Sequence, residues 1–348
     1  MKKILMHAVR QNIVIGVESD DYPNDLKTKQ KLFKNTLINT VSVPQFSVCI
    51  PAYNDIECFT RCIASVLRQK DVSLECVVCD DSNSDSIFNY INKINDSRVR
   101  YYRNKPPNGA PKNWNSALHL SQGDVVTLLH QDDWYRSEST LKDVLGCMQR
   151  NDADVCFCGQ AIANESGEVL GEYPVSVGKV LRMYTGFPRR TLVVNLLGAP
   201  SVVFFQRRHL DVEYDVKLLY FSDTDYYYRL LSSSSAVTVL AEPNVGISRS
   251  VAQISKFCLS HLDSVLEELF YALKKHQASS IDSCAAVARF VASNLRHWRV
   301  ASLLSALKLI WKHFSLQATL LTFFIFPIFA GHMCYRLFLR KVCGRIWA

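Results

Sequence analysis

The sequence predicts an α/β protein with a mostly parallel central sheet and a helical appendage at its carboxyl end. Two patterns carry this. Short apolar runs at 46–50, 74–79, 99–102 and 125–129 alternate with segments 56–69, 84–95 and 111–121, whose apolar residues recur at helical period. Strands that alternate with helices imply a parallel sheet covered on both faces. The chain has 348 residues, 48% apolar and 21% charged, which gives one substantial core plus an appendage and excludes a largely disordered chain.

Residues 1–44 read as an amino-terminal extension. The apolar stretch at 4–6 is interrupted by His7, Arg10, Gln11 and Asn12 before it reaches the length of an export signal, and 18–40 is polar and charged, so part of it is expected to be disordered. Twelve cysteines raise the question of disulfides, but Cys49, Cys76, Cys79, Cys156 and Cys158 fall inside apolar runs, where a reduced thiol behaves as a small hydrophobe. The Cys76–Cys79 spacing has no second pair at zinc-site distance, so packing accounts for it better than metal or redox chemistry. The formal charge of +8 is compatible with nucleic acid, an anionic membrane or phosphate-rich ligands and does not choose among them.

In open parallel sheets ligands gather at the carboxyl ends of the strands. The first strand is followed by Pro51, Ala52, Tyr53, Asn54 and Asp55, the second by Asp80-Asp81-Ser82-Asn83-Ser84-Asp85, and the fourth by His130-Gln131-Asp132-Asp133-Trp134. Turn and cap chemistry explains any one of these segments. It explains all three together poorly. Adjacent carboxylates repel unless a cation neutralises them, so Asp80-Asp81 and Asp132-Asp133 on one rim point to a divalent ion and a phosphate ligand.

Taken in order, the segments 48–54 (VCIPAYN), 79–85 (CDDSNSD), 108–109 (NG) with 113–115 (NWN), 131–133 (QDD) and 222–225 (SDTD) before Arg229-Leu230 resemble a family-2 glycosyltransferase of the GT-A fold. The resemblance covers residues 46–255 and gives a domain of 45–255 followed by a helical region of 256–348. It implies a nucleotide-binding first half, in which Pro51, Ala52 and Tyr53 line the nucleobase pocket, Asp81 accepts a hydrogen bond from the base ring, and Asn113 lies near the nucleotide. Uracil is favoured for that base, although guanine also offers a ring N–H. The resemblance places Asp132 beside the ribose and metal and Asp133 on the ion itself, Mg²⁺ or Mn²⁺, which suits an all-oxygen site. It makes Asp223 the general base for the acceptor hydroxyl, with Asp225 as the alternative, and it implies inversion at the anomeric carbon. Trp114 and Leu118 share helical spacing and read as core.

Some positions depart from the family pattern. Ser222 stands where an acidic residue often precedes the base, and Ser250 stands where many relatives carry a histidine, so Arg249 or Lys256 is the expected substitute contact to the diphosphate. The processive Gln-x-x-Arg-Trp signature is absent, which implies one sugar added per encounter. The turn at 195–201 leads into the apolar run 202–205 and either makes room for an acceptor or serves backbone needs through Gly198 and Pro200.

Beyond residue 255 the chain reads as helices at 257–276, 281–296 and about 300–313. From 314 to 335 there is no Asp, Glu, Lys or Arg, and Arg336, Arg340, Lys341 and Arg345 follow, so 314–341 is expected to lie in the plane of a membrane, with a span or a core helix as alternatives. A nucleotide-diphospho-sugar donor, a saccharide or lipid-linked saccharide acceptor from surface polysaccharide assembly and an anionic membrane surface are the expected partners, with no nucleic acid. The location this suggests is cytoplasmic, peripheral to the inner face of the cell membrane. A nucleotidyltransferase is disfavoured because 51–54 has neither glycine nor lysine to grip a triphosphate. A non-catalytic sugar or nucleotide binding module would have no need of Asp223.

Overall fold

The computed structural model describes residues 14–16, 43–164, 166–249 and 258–294. Its centre is a ten-stranded mixed sheet whose main path runs β4-β3-β2-β5-β9-β7-β10-β1. The strands on this path are β1 (Val14–Gly16), β2 (Phe46–Ala52), β3 (Leu74–Asp80), β4 (Val99–Arg103), β5 (Val125–Leu128), β7 (Val155–Ala163), β9 (Val203–Gln206) and β10 (Ala236–Ser248). Every step on the path is parallel except the two made by β9, which runs antiparallel to both β5 and β7. Two further strands, β6 (Trp134–Tyr135) and β8 (Val169–Tyr173), pair antiparallel with β10 and β7.

The parallel half forms where the sequence alternates. Helices α1 (Ile56–Leu67), α2 (Ser86–Ile94) and α3 (Ala110–His119) cross between β2, β3, β4 and β5 in turn. All seven residues of β2 are buried, as a strand covered on both faces must be. Asp55 starts α1 by accepting from Cys58 N at 2.9 Å, and the helix buries Phe59, Cys62, Ile63 and Val66. Trp114 and Leu118 are core residues, as their spacing suggested, and Cys49, Cys76, Cys79, Cys156 and Cys158 are buried free thiols.

The rest of the sheet was less visible from sequence. Strand β10 carries Glu242 and Pro243 in its middle, and its register on β7 shifts between Leu240 and Val245, so it reads as two broken pieces. Strand β1 adds a parallel edge to β10 from within the segment read as an extension. The helices α4 (Thr140–Arg150), α5 (Val177–Thr185) and α6 (Ser222–Ser233) complete the domain, and α7 (Leu262–Lys275) and α8 (Ser280–Asn294) follow.

Helices α7 and α8 are not a detached appendage. Leu266, Leu269 and Phe290 share one buried cluster with Leu192, Leu218 and Phe221 of the preceding domain. Glu268 of α7 also accepts from Leu219 N and Tyr220 N at 2.8 Å each, so α7 fixes the chain just before α6. No described helix is long and apolar enough to cross a membrane. The expected helix at 300–313 and the membrane-contact segment 314–341 lie outside the described residues.

Candidate active site

Past Leu128 the chain turns through 129–133 and enters β6, whose Trp134 lies opposite Gly246 of β10. A Cβ at Gly246 would stand 2.3 Å from the Trp134 ring, so glycine alone lets the indole lie against the strand. The Arg61 guanidinium covers the ring at 4.2 Å and donates to the Asp132 carbonyl at 3.2 Å. The tip is thereby held from both sides.

Three side chains of this tip, His130, Asp132 and Asp133, bring their ligand atoms within 4.8 Å of one another. Asp133 is 2% exposed and accepts from Ser201 Oγ at 2.5 Å and from Ser248 N at 3.3 Å. Burial, reinforced by the charge of Asp132, pushes its pKa well above the usual carboxylate range. Burial has the opposite effect on His130 and favours the neutral imidazole, whose Nε2 is buried and meets no hydrogen-bond partner among the described residues. A neutral imidazole and two carboxylates whose ligand atoms lie this close form a donor set that fits a divalent cation. His130 was not singled out from sequence as a ligand. Its signal was its place in the same short segment as the acidic pair.

The acidic pair after β3 does not join this cluster. Asp80 accepts from Ser82 N at 2.8 Å and from the Tyr101 hydroxyl at 2.7 Å, and it is fully buried. Among the described residues the cluster therefore consists of one acidic pair, Asp132-Asp133, and a histidine, with Asp80 and Asp81 outside it.

Asp223 lies in the first turn of α6 and, among the described residues, has only Ser222 Oγ, at 3.2 Å, as a hydrogen-bond partner. It caps no backbone amide in the helix. Burial raises its pKa to about 7, against the lowering effect of that hydrogen bond. Tyr227 stands one turn further along α6, and its phenol is raised well above its normal pKa by burial, then by the charge of Asp223 and, more weakly, by that of Asp133. The helix and the acidic tip therefore face the same buried hydroxyl.

A turn at 195–201 joins them. Asn195 Oδ1 accepts from Leu197 N and Gly198 N at 3.0 Å each, and its amide donates to the Gly198 carbonyl at 2.6 Å. Gly198 has φ +110°, and a Cβ there would meet Gln160 Oε1 at 2.3 Å. Its carbonyl accepts from the Tyr227 hydroxyl at 2.9 Å, while Ser201 Oγ donates to Asp133 and accepts from His130 N at 3.0 Å. Backbone need and site building thus coincide in one turn.

Residues 47–212 match the family model described as glycosyl transferase family 2. The chain carries a family-2 glycosyltransferase domain. The chain is 34% identical to the hyaluronan synthase of Pasteurella multocida over 132 residues, 35% of this chain and 14% of that protein. It is 35% identical over 89 residues to the UDP-Glc:alpha-D-GlcNAc-diphosphoundecaprenol beta-1,3-glucosyltransferase WfaP of Escherichia coli, 26% of this chain and 36% of that one. The chain thus spans well under half of either relative. Residues 1–349 of S. aureus TarS, solved with UDP-GlcNAc, share the fold at a TM-score of 0.54 and 15% identity, over 79% of this chain and 81% of that one.

Within the glycosyltransferase domain, Tyr53 is 54% exposed, and its backbone is clamped by the Gln131 side chain, which accepts from Tyr53 N at 2.7 Å and donates to Tyr53 O at 2.9 Å. Pro51 and Ala52 are buried in β2 beneath it. Asp81 is 3% exposed, and its oxygens accept from Asn104 Nδ2 at 2.7 Å, Asn108 N at 3.1 Å and Gly109 N at 2.9 Å. Asn113 is buried as well, donating to the Cys79 carbonyl at 3.0 Å and accepting from Asn104 at 2.9 Å. Both were expected to face a nucleotide. In the structure both also brace the loop 104–109 through these bonds.

Asp225, the alternative base, is fully buried and bonded to Arg229 at 2.6 Å, Lys275 at 3.0 Å and His276 at 2.7 Å. Burial opposes its ionisation, but the His276 hydrogen bond and the charges of Arg229 and Lys275 outweigh it and bring its pKa to about 2. An acid that weak as a base, with every oxygen engaged, is a clamp between α6 and α7. Asp225→Asn is expected to destabilise the fold at pH 7 by about 3–5 kcal/mol, the cost of stranding a buried charge. Because the folded pKa lies below the unfolded one, this contribution is lost as pH falls from about 4 through about 2, so urea titrations of the two proteins should converge there. Arg249 is exposed at the end of β10, and Ser250 and Lys256 lie outside the described residues.

Proposed function

We propose that the chain transfers one sugar per encounter from a nucleotide-diphospho-sugar, a UDP-sugar by preference, to a hydroxyl of a lipid-linked saccharide, with inversion at the anomeric carbon. The observation that carries this is Asp223, a carboxylate held near pKa 7 and tied through the 195–201 turn to a cluster fit for a divalent ion. A general base is most effective when its pKa is near the working pH, and a binding module has no use for one. The 35% identity to a UDP-glucose-dependent transferase that acts on a diphosphoundecaprenol acceptor supports the donor and the acceptor class.

In this reading the nucleobase lies on the exposed face of Tyr53, which the Gln131 clamp keeps in place. Pro51 and Ala52 form the floor, and Asp81 and Asn113 act from below by shaping the loop 104–109. His130, Asp132 and Asp133 hold Mg²⁺ or Mn²⁺, with Asp132, the more exposed carboxylate, nearest the ribose and diphosphate. The bound ion supplies positive charge where the departing diphosphate gathers negative charge. Asp223 takes the proton of the acceptor hydroxyl as that oxygen bonds to the anomeric carbon and the bond to the diphosphate breaks. A lipid-linked acceptor places the protein at the cytoplasmic face of the cell membrane, with the net charge of +8 suited to an anionic surface.

Release of nucleoside diphosphate, measured over a panel of UDP-, GDP- and dTDP-sugars with Mg²⁺ or Mn²⁺, tests the reading. The expected result is metal-dependent turnover of a UDP-sugar. Silence across the panel in the presence of lipid-linked saccharides sinks it.

A further inference from the structure

A cavity of about 820 Å³ opens beside the 195–201 turn, and its wall carries Arg182, Arg189, Arg190 and Arg289 against a single carboxylate, Asp282. Arg182 is exposed at the end of α5 and donates from Nε to the Gly178 carbonyl at 3.0 Å. Arg189 is exposed and approaches Asp282 at 3.8 Å. Arg190 is exposed. Guanidinium groups gathered on one wall repel one another, and an oxyanion, carboxylate or phosphate, able to accept paired N–H bonds removes that cost.

The cavity is joined to the reacting centre by its own walls. Leu196 lines it and belongs to the turn that bonds Asp133 and Tyr227. Leu192, next to the lining residue Thr191, accepts through its carbonyl from Thr224 Oγ1 at 2.8 Å, one residue past Asp223. Phe187, another wall residue, stacks on Tyr228 of α6 at 4.0 Å and 10°. A ligand seated here lies against residues that pack on the helix of the proposed base.

We infer that this cavity binds an oxyanion carried by the acceptor, so that its arginines, and not the metal cluster, hold the acceptor while Asp223 works on its hydroxyl. The inference rests on the transferase reading above and names its acceptor as an anionic saccharide. A diphosphate linking sugar to lipid and a uronic acid carboxylate share this chemistry.

The test uses the full chain with EDTA present, so that the metal cluster offers no cation to the probe. Inorganic pyrophosphate and glucuronate are titrated by calorimetry into the parent and into a double variant, Arg182→Gln with Arg190→Gln. Both residues are exposed, and metal-dependent hydrolysis of the donor in the absence of acceptor should be the same in the variant, which verifies its fold. Saturable pyrophosphate binding weakened at least about tenfold in the variant is the expected result and assigns the diphosphate source, since each charge-assisted pair contributes at least that much. Binding of glucuronate alone, weakened in the same way, assigns the uronate source. In transfer assays the variant should raise the acceptor KM about tenfold and leave the donor KM unchanged. If neither anion binds, or both proteins bind them equally, the inference is overturned. A parent that binds pyrophosphate here but turns over no donor overturns the transferase reading and leaves the anion site standing.

Discussion

Asp223→Asn is expected to lower the rate of sugar transfer by about 10²–10⁴-fold, the range that general-base catalysis supplies, while nucleotide binding stays within a factor of two of the parent's. The amide keeps the shape and the Ser222 contact but cannot take the proton. In the parent, kcat/KM should rise with pH through about 7 and level off above it, because the carboxylate is the active form and burial sets its pKa there. In the variant the residual rate should lose that rise. Stability supplies a control with its own sign. The folded pKa is raised, so the protonated acid is the form that folding favours, and stability is lost as pH climbs from about 4 through about 7. Removing the charge removes that loss, and the asparagine protein should melt no lower than the parent at pH 8. An inactive variant that also melts early would assign Asp223 a structural role instead.

Removal of divalent ions should have an effect of similar size. Dialysis against EDTA is expected to reduce transfer to background, and Mg²⁺ or Mn²⁺ should restore it. Binding to the folded chain alone should also raise its thermal stability, by about 2.7 kcal/mol when the ion is present at a hundred times its Kd. Asp132→Ala should abolish both the restoration and the thermal shift, because it removes the more exposed carboxylate of a three-residue set. His130→Ala tests the histidine separately, since the imidazole it removes belongs to the three-residue set and its loss should weaken the ion. A full thermal shift in the Asp132 protein would move the ion to another site.

The parallel half of the fold was legible because its strands are buried on both faces and its crossover helices keep a clear period. Ile63 and Val66 announced α1, and the acidic residues after β2, β3 and β5 marked the rim. The broken strand β10 was hidden by Pro243, and β6 by its two-residue length. Within the site, the motif positions Asp132, Asp133 and Asp223 lie where a buried hydroxyl feels the last two together. The internal role of Asp81 could not be read, because nothing in sequence shows that Asn108 N and Gly109 N turn back toward it. Ser201 gave no signal either. Its importance comes from a contact across 68 residues of chain. The arginine cavity is likewise a product of folding, since Arg182 and Arg289 are far apart in sequence and line one cavity only once α8 has packed.

Ser201 and Gly198 stand three residues apart in one turn, one bonded to a carboxylate of the proposed ion site and the other to the helix of the proposed base. In the proposed reaction the span between departure and attack is therefore set by a few peptide units, in the manner of a fixed gauge, and owes little to how large elements are oriented. Such a gauge lets the surrounding walls diverge without detuning the chemistry. New acceptors are then best sought by rebuilding the segment that holds Arg182, Phe187 and Arg190, with 195–201 carried over unchanged.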